Sequence, residues 1–122
     1  MSIKQIEADD AYDLIQDDDS VIYLDVRTEE EFNQGCPEGA ILIPLVFNEN
    51  GNRQENKDFL QQVNEKFDKS STLIVGCRIG HRSMQACETL AAAGFNNLYN
   101  LTGGYEGNNQ AQGWKQLGLP SD

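Results

Sequence analysis

Alternating strand and helix signals, repeated from one end of the chain to the other, predict an α/β domain with a mainly parallel central sheet of about five strands flanked by helices. Two observations carry that prediction. Short apolar runs bounded by turn residues recur at residues 21–26, 41–43 and 72–76, the pattern of buried strands. Between them, apolar residues recur at helical spacing in segments long enough to cross over a sheet face rather than turn back as hairpins.

Residues 3–6 suit a short first strand. Ala11, Leu14 and Ile15 follow at helical spacing behind Asp9 and Asp10, which read as caps, and Asp17-Asp18-Asp19-Ser20 ends that helix in a solvated turn. Val21-Ile22-Tyr23-Leu24-Asp25-Val26 is the second strand. Thr28-Glu29-Glu30-Glu31 then supplies a capping box for a short helix closed by Gly35. Ile41-Leu42-Ile43 before Pro44 is a third strand, and the polar residues 48–56, with Gly51 among them, read as a surface loop.

From Asn56 onward Phe59, Leu60, Val63 and Phe67 mark an amphipathic helix that leads into the strand 72–76. Met84, Cys87, Leu90 and Ala91 trace the buried face of the next helix, which Gly94 ends as a C′ glycine. Residues 98–101 form the last strand and run into Thr102-Gly103-Gly104-Tyr105, whose glycines permit a tight turn or a close backbone approach. Residues 114–120 are expected to pack a final helical turn on the sheet. The chain shows no internal repeat or linker, so residues 1–122 are expected to form one domain.

Charge and composition narrow the function. Nine Lys and Arg against twenty Asp and Glu give a net charge of −11, which argues against nucleic acid or an anionic membrane surface as a partner. The apolar fraction is 39%, and no apolar run approaches the ~20 residues that cross a bilayer. Residues 1–7 lack the basic and apolar regions of a secretory signal, so a cytoplasmic location is expected. The three cysteines, Cys36, Cys77 and Cys87, include no C-x-x-C pair, which supports neither a disulfide framework nor a zinc site. No metal or cofactor is expected, and Cys87 reads as a small core residue.

The chemistry concentrates at Leu73-Ile74-Val75-Gly76-Cys77-Arg78-Ile79-Gly80-His81-Arg82-Ser83. A short apolar strand runs into a cysteine, then a basic loop with a glycine, then a helix. A thiol so placed sits beside unpaired backbone N–H groups and the positive end of a helix dipole. Arg78 and Arg82 add full positive charge, and such surroundings favour thiolate over thiol. Cys77 is therefore the candidate nucleophile. Asp25 and Arg27 fall at the carboxyl end of a neighbouring strand, the edge where open α/β sheets bind ligands.

Leu24-Asp25-Val26-Arg27, Glu31-Phe32, Gly39-Ala40, Ile43-Pro44, the loop from Cys77 to Ser83, Leu101-Thr102-Gly103-Gly104 and Gly118-Leu119-Pro120 occur in this order. The pattern resembles the rhodanese (sulfurtransferase) family, specifically its single-domain members, over nearly the whole chain. The resemblance implies a three-layer rhodanese-like domain and transfer of sulfane sulfur by double displacement through a persulfide on Cys77. It implies thiosulfate or a polysulfide as the small anionic donor and a thiol or cyanide as acceptor, with a protein sulfur acceptor as a further candidate partner. The substrate-binding residues would be Arg78, Ile79, Gly80, His81, Arg82 and Ser83, whose backbone N–H groups would cradle the persulfide, with Arg78 and Arg82 attracting and orienting the anionic donor. Asp25 and Arg27 would support the loop, with Asp25 pairing to Arg82. The alternative within the same fold is a non-catalytic sulfur carrier or regulatory binding module.

Loop length separates this from phosphatases of the C-x-x-x-x-x-R type and from arsenate reductases, because only four residues lie between Cys77 and Arg82. His81, the single histidine, reads as a solvent-facing loop residue rather than a base, and Gly80 as a residue that permits an awkward backbone angle. The chain departs from the family in two places. Cys36 stands where a histidine is usual, and Asn108 stands where a tryptophan follows Gly-Gly, with Trp114 six residues further on. The altered segment 107–113 therefore bears on substrate choice.

Overall fold

A computed structural model describes residues 3–122. The elements are β1 (Ile3–Ile6), α1 (Ala8–Asp17), β2 (Ile22–Asp25), α2 (Glu29–Gln34), β3 (Ile41–Leu42), β4 (Val46–Glu49), β5 (Asn52–Glu55), α3 (Phe59–Lys66), β6 (Thr72–Gly76), α4 (His81–Ala92) and β7 (Asn97–Leu101). Five strands form one sheet in the order β1-β7-β6-β2-β3, and every pairing in it is parallel. The α/β class and the mainly parallel five-stranded sheet expected from the sequence are what the chain adopts. Among the described residues no helix is long and apolar enough to cross a membrane.

Alternation of side chains along the strands builds two cores, one on each face. Leu24, Val26, Leu73, Val75 and Leu98 face Val63 of α3 and Ala86, Cys87 and Leu90 of α4. Tyr23, Ile74 and Leu101 face the other way, against Ala8 and Ala11 of α1 and against Trp114. The Trp114 ring meets Tyr12 and Tyr23 edge-on at centroid distances of 6.0 and 5.6 Å, and its indole N–H donates to the Pro120 carbonyl. The turn at residues 114–118 thus closes the second face, as expected.

Topology explains where a site can form. From β2 the chain moves outward to β3, and from the adjacent β6 it moves outward in the opposite direction to β7. Strand order reverses between β2 and β6, and a crevice opens outside their carboxyl ends at such a switch point. Cys77, directly after β6, lies there.

Two local expectations are corrected. Asp9 and Asp10 do not cap α1, because the helix begins at Ala8 with extended Glu7 before it, and both aspartates sit within the first turn. There their charge meets the positive end of the helix. Residues 48–56 are not a loop but most of the antiparallel hairpin β4–β5, with Glu49 opposite Asn52. Asn50 and Gly51 adopt φ of 53° and 80°, the paired positive angles that let a two-residue turn follow strand twist. The capping box at Thr28 and Glu31 forms as read, and so does the end of α2 at Gly35.

Candidate active site

Cys77 is 1% exposed, and its sulfur faces the amino end of α4. The Gly80 N–H donates to Cys77 Sγ at 3.1 Å. Gly80 makes this contact from φ 104°, and a Cβ on it would fall 2.5 Å from the Thr102 carbonyl oxygen, so both its angle and its space require glycine. The N–H groups of His81, Arg82 and Ser83, the first turn of α4, have no hydrogen-bond acceptor among the described residues. Such groups are free to meet an anion seated on the sulfur.

The buried Ser83 hydroxyl lies 3.4 Å from Cys77 Sγ and 3.1 Å from the Gly80 carbonyl, and it also reaches Asn100 Oδ1 on β7. Asn100 in turn donates through Nδ2 to Gln5 Oε1 on β1 at 2.8 Å. A line of polar side chains therefore runs from the sulfur across β7 to the sheet edge.

The segment after β7 clamps the loop from outside. Tyr105 N–H donates to the Cys77 carbonyl at 2.8 Å, Glu106 N–H to the Arg78 carbonyl at 2.9 Å, and Asn108 Nδ2 to the Ile79 carbonyl at 2.8 Å. The position that lacks the family tryptophan thus holds an amide that grips the loop, while Trp114 is buried in the second core.

Asp25 and Arg82 are not partners, contrary to the expectation. Asp25, 1% exposed, holds Arg27 through Nη2 at 2.8 Å and Nε at 3.1 Å, and Arg27 also donates to the Gly35 carbonyl and stacks 4.5 Å from the centre of the Tyr105 ring. Among the described residues this pair makes no side-chain hydrogen bond to the loop; it braces the end of α2 and the tyrosine whose N–H holds Cys77. Arg82 instead forms a bidentate pair with Glu31, at 2.7 and 2.9 Å. The geometric reason is reach: Asp25 is already filled by Arg27 two residues on, whereas Glu31 leaves α2 toward the loop. Burial opposes ionisation of Glu31, yet Arg82 and the Thr28 cap outweigh it and bring the carboxyl down to about 2. The same carboxylate, against the cost of burial, holds the Arg82 guanidinium charged beyond its usual range.

Above the thiol is a cavity of about 90 Å3 lined by Arg53, Cys77, Arg78, Ile79, His81 and Arg82. His81 is exposed at its rim, in keeping with a solvent-facing residue. Beside it an open groove of about 510 Å3 runs along Ile79, His81, Asn108 and Gln110. The structure brings together the predicted loop residues 77–83. It adds Arg53, Glu31, Asn100 and Tyr105, which sequence reasoning did not assign to the site, and gives Asn108, singled out within the segment 107–113, a direct hold on the loop.

The other two thiols do not line this cavity. Burial, with Cys77 and Glu88 nearby, pushes Cys87 up to about 12, and it sits in the core as expected. Burial also raises Cys36, helped by the carboxylates of Asp122 and Asp25, and its backbone pairs with Asp122.

Comparison with known proteins agrees with this geometry. The model of the rhodanese-like domain matches residues 7–111. The chain is 42% identical to thiosulfate sulfurtransferase 16, chloroplastic, of Arabidopsis thaliana over 81% of this chain and 78% of that protein. It is 38% identical to an uncharacterized protein of Rickettsia conorii over 98% of both. A crystal structure of Rv0390 from M. tuberculosis superposes with a TM-score of 0.84 at 26% identity, covering 98% of this chain and 96% of that one. A rhodanese-like domain protein from Staphylococcus aureus superposes with a TM-score of 0.68 at 26% identity, over 90% and 97%. With a cysteine at the switch point of a parallel sheet and a family model spanning most of its length, the chain belongs to the rhodanese-like domain family, whose type of chemistry is sulfur transfer.

Proposed function

We propose that the protein is a sulfurtransferase that moves sulfane sulfur from thiosulfate or a polysulfide to a thiol or cyanide through a persulfide on Cys77. With thiosulfate, the Cys77 thiolate attacks the sulfane sulfur, the bond between the two sulfurs breaks, and sulfite leaves with the electron pair. In the second half the acceptor attacks the outer sulfur of the persulfide, and the Cys77 thiolate leaves with its electrons. Once the thiol has given up its proton, neither half needs a general base. Each needs backbone donors and positive charge where the anion sits.

One observation carries this reading: Cys77 Sγ accepts from the Gly80 N–H at 3.1 Å beneath a cavity of about 90 Å3 whose rim holds Arg53, Arg78, His81 and Arg82. The adjoining groove along Ile79 and Asn108 is open enough for an acceptor thiol, including one on another protein. Three free cysteines suit a reducing compartment such as the cytoplasm. The test is intact mass after incubation with thiosulfate and, separately, polysulfide. One added sulfur that disappears with cyanide is expected in the wild type and not in Cys77→Ser. Wild type without the adduct, or an adduct that survives Cys77→Ser, sinks the mechanism.

A further inference from the structure

We propose that Arg53, on the β4–β5 hairpin, is the specificity-determining residue that recruits and orients the sulfonate head of an anionic sulfur donor. This rests on the reading of Cys77 as the sulfur acceptor and deepens it. Of the loop arginines, Arg82 is held by both oxygens of Glu31, and Arg78, half exposed, approaches Glu106 at 3.7 Å without a hydrogen bond. Arg53 lines the same cavity as Cys77 and makes no ion pair or side-chain hydrogen bond among the described residues. In a chain of net charge −11, a guanidinium left without a carboxylate at the mouth of the reactive thiol is positioned for an anion from outside.

The hairpin sets where the Arg53 side chain leaves the backbone. The residue directly across from Arg53 is Asn48, not an acid. Buried Asn56 closes the base of the hairpin, its N–H donating to Leu45 O and its Nδ2 to Pro44 O and Gln62 Oε1. The register of the hairpin, and with it the place of the Arg53 backbone beside the loop, is thereby set.

The size of the cavity and the chemistry agree on the class of donor. About 90 Å3 corresponds to roughly three water molecules, room for one small tetrahedral anion above the sulfur. In the first half-reaction the bond between sulfane and sulfonate sulfurs breaks and sulfite departs with the electron pair, so negative charge grows on the sulfonate oxygens. A guanidinium fork bonds two such oxygens at once. Arg53 therefore acts on the donor half-reaction and not on the acceptor half.

Kinetics of Arg53→Gln and Arg53→Lys test this with thiosulfate as donor and the neutral thiol 2-mercaptoethanol as acceptor. Arg53→Gln is expected to lower kcat/KM for thiosulfate about tenfold or more through KM. Arg53→Lys should recover part of the loss, since it restores charge without the fork, and KM for mercaptoethanol should move far less. An independent probe needs no sulfur transfer: the rate of Cys77 alkylation by anionic iodoacetate relative to neutral iodoacetamide should fall several-fold in Arg53→Gln. An unchanged thiosulfate KM, an equal rise in both KM values, or an unchanged alkylation ratio overturns the proposal. A wild type that takes sulfur from no donor defeats the sulfur-transfer reading itself, and the alkylation ratio then decides by itself whether Arg53 recruits anions.

Discussion

The Ser83 hydroxyl lies 3.4 Å from Cys77 Sγ, whose thiol donates to it, while its own proton is directed to Asn100 Oδ1 and the Gly80 carbonyl. Facing a thiol, Ser83 can accept from the sulfur and give its own proton to Asn100. Facing a thiolate or persulfide, it must turn that proton to the sulfur, and Asn100 then keeps only its bond to Gln5. Ser83→Ala removes the donor and leaves Asn100 Oδ1 buried without a partner. Sulfur transfer should fall roughly 10- to 100-fold, and stability should fall by about 1–3 kcal/mol. Thiosulfate kinetics beside urea unfolding separate the two effects, and a stability loss with unchanged kcat would leave Ser83 as packing alone.

The Glu31–Arg82 pair makes stability depend on acid. Glu31 titrates at about 2 in the folded protein, below its usual 4.5, so the folded state favours the ionised form. Its contribution is complete above the unfolded value and is lost as pH falls from about 5 through about 2. The Glu31 side chain is 24% exposed and Arg82 10%, so solvent screening reduces the effect to about 2 kcal/mol. Glu31→Gln should lose that amount at neutral pH and show a flatter decline below about pH 5. Urea midpoints from pH 7 to 3 measure both; parallel curves for the two proteins would rule the pair out as the acid-sensitive element.

Gly104 explains why a glycine pair follows β7. Its φ is 64°, and a Cβ on it would lie 2.5 Å from the Arg78 carbonyl oxygen and 2.7 Å from that of Cys77. The turn presses directly on the backbone of the reactive loop. Gly104→Ala therefore meets both a disfavoured angle and a backbone clash that no side chain can relieve. A loss of about 2–4 kcal/mol is expected, together with slower alkylation of Cys77, read by urea unfolding and by iodoacetamide kinetics.

Sequence periodicity and punctuation disclosed the sheet, the helices around it and the loop from Cys77 to Ser83, because these depend on local patterns. Side-chain partnerships across elements were less legible. Asp25 and Arg82 lie at and beyond the carboxyl ends of adjacent strands, yet nothing local reveals that Arg27 fills Asp25 first or that Glu31, already visible as a capping residue, turns its carboxylate to Arg82. Asn100 and Asn108 carry no periodic signal at all; their roles come from neighbours on β1 and on the loop. Arg53 is the exception that could have been found. Asn50-Gly51 is a strong hairpin signal, and recognising it turns a polar loop into a paired two-stranded arm.

The three thiols should differ sharply in reactivity, for reasons of burial and placement. Cys87 is pushed up to about 12 by burial in the core under α4 and is fully buried, so neutral-pH iodoacetamide should reach it only when α4 opens. Cys36 is raised by burial as well, and its backbone is tied to Asp122 at the chain's other end. Cys77 alone lines the cavity above the loop. Peptide mapping over time should therefore find Cys77 modified first, Cys36 later, and Cys87 only alongside global unfolding. Cys36→Ser should leave the rate of sulfur transfer within about twofold of the wild type, since a thiol without access to that cavity cannot take its sulfur. Modification of Cys36 at the pace of Cys77, or a marked loss of transfer in Cys36→Ser, would instead make it a second sulfur-handling group where the family usually has a histidine.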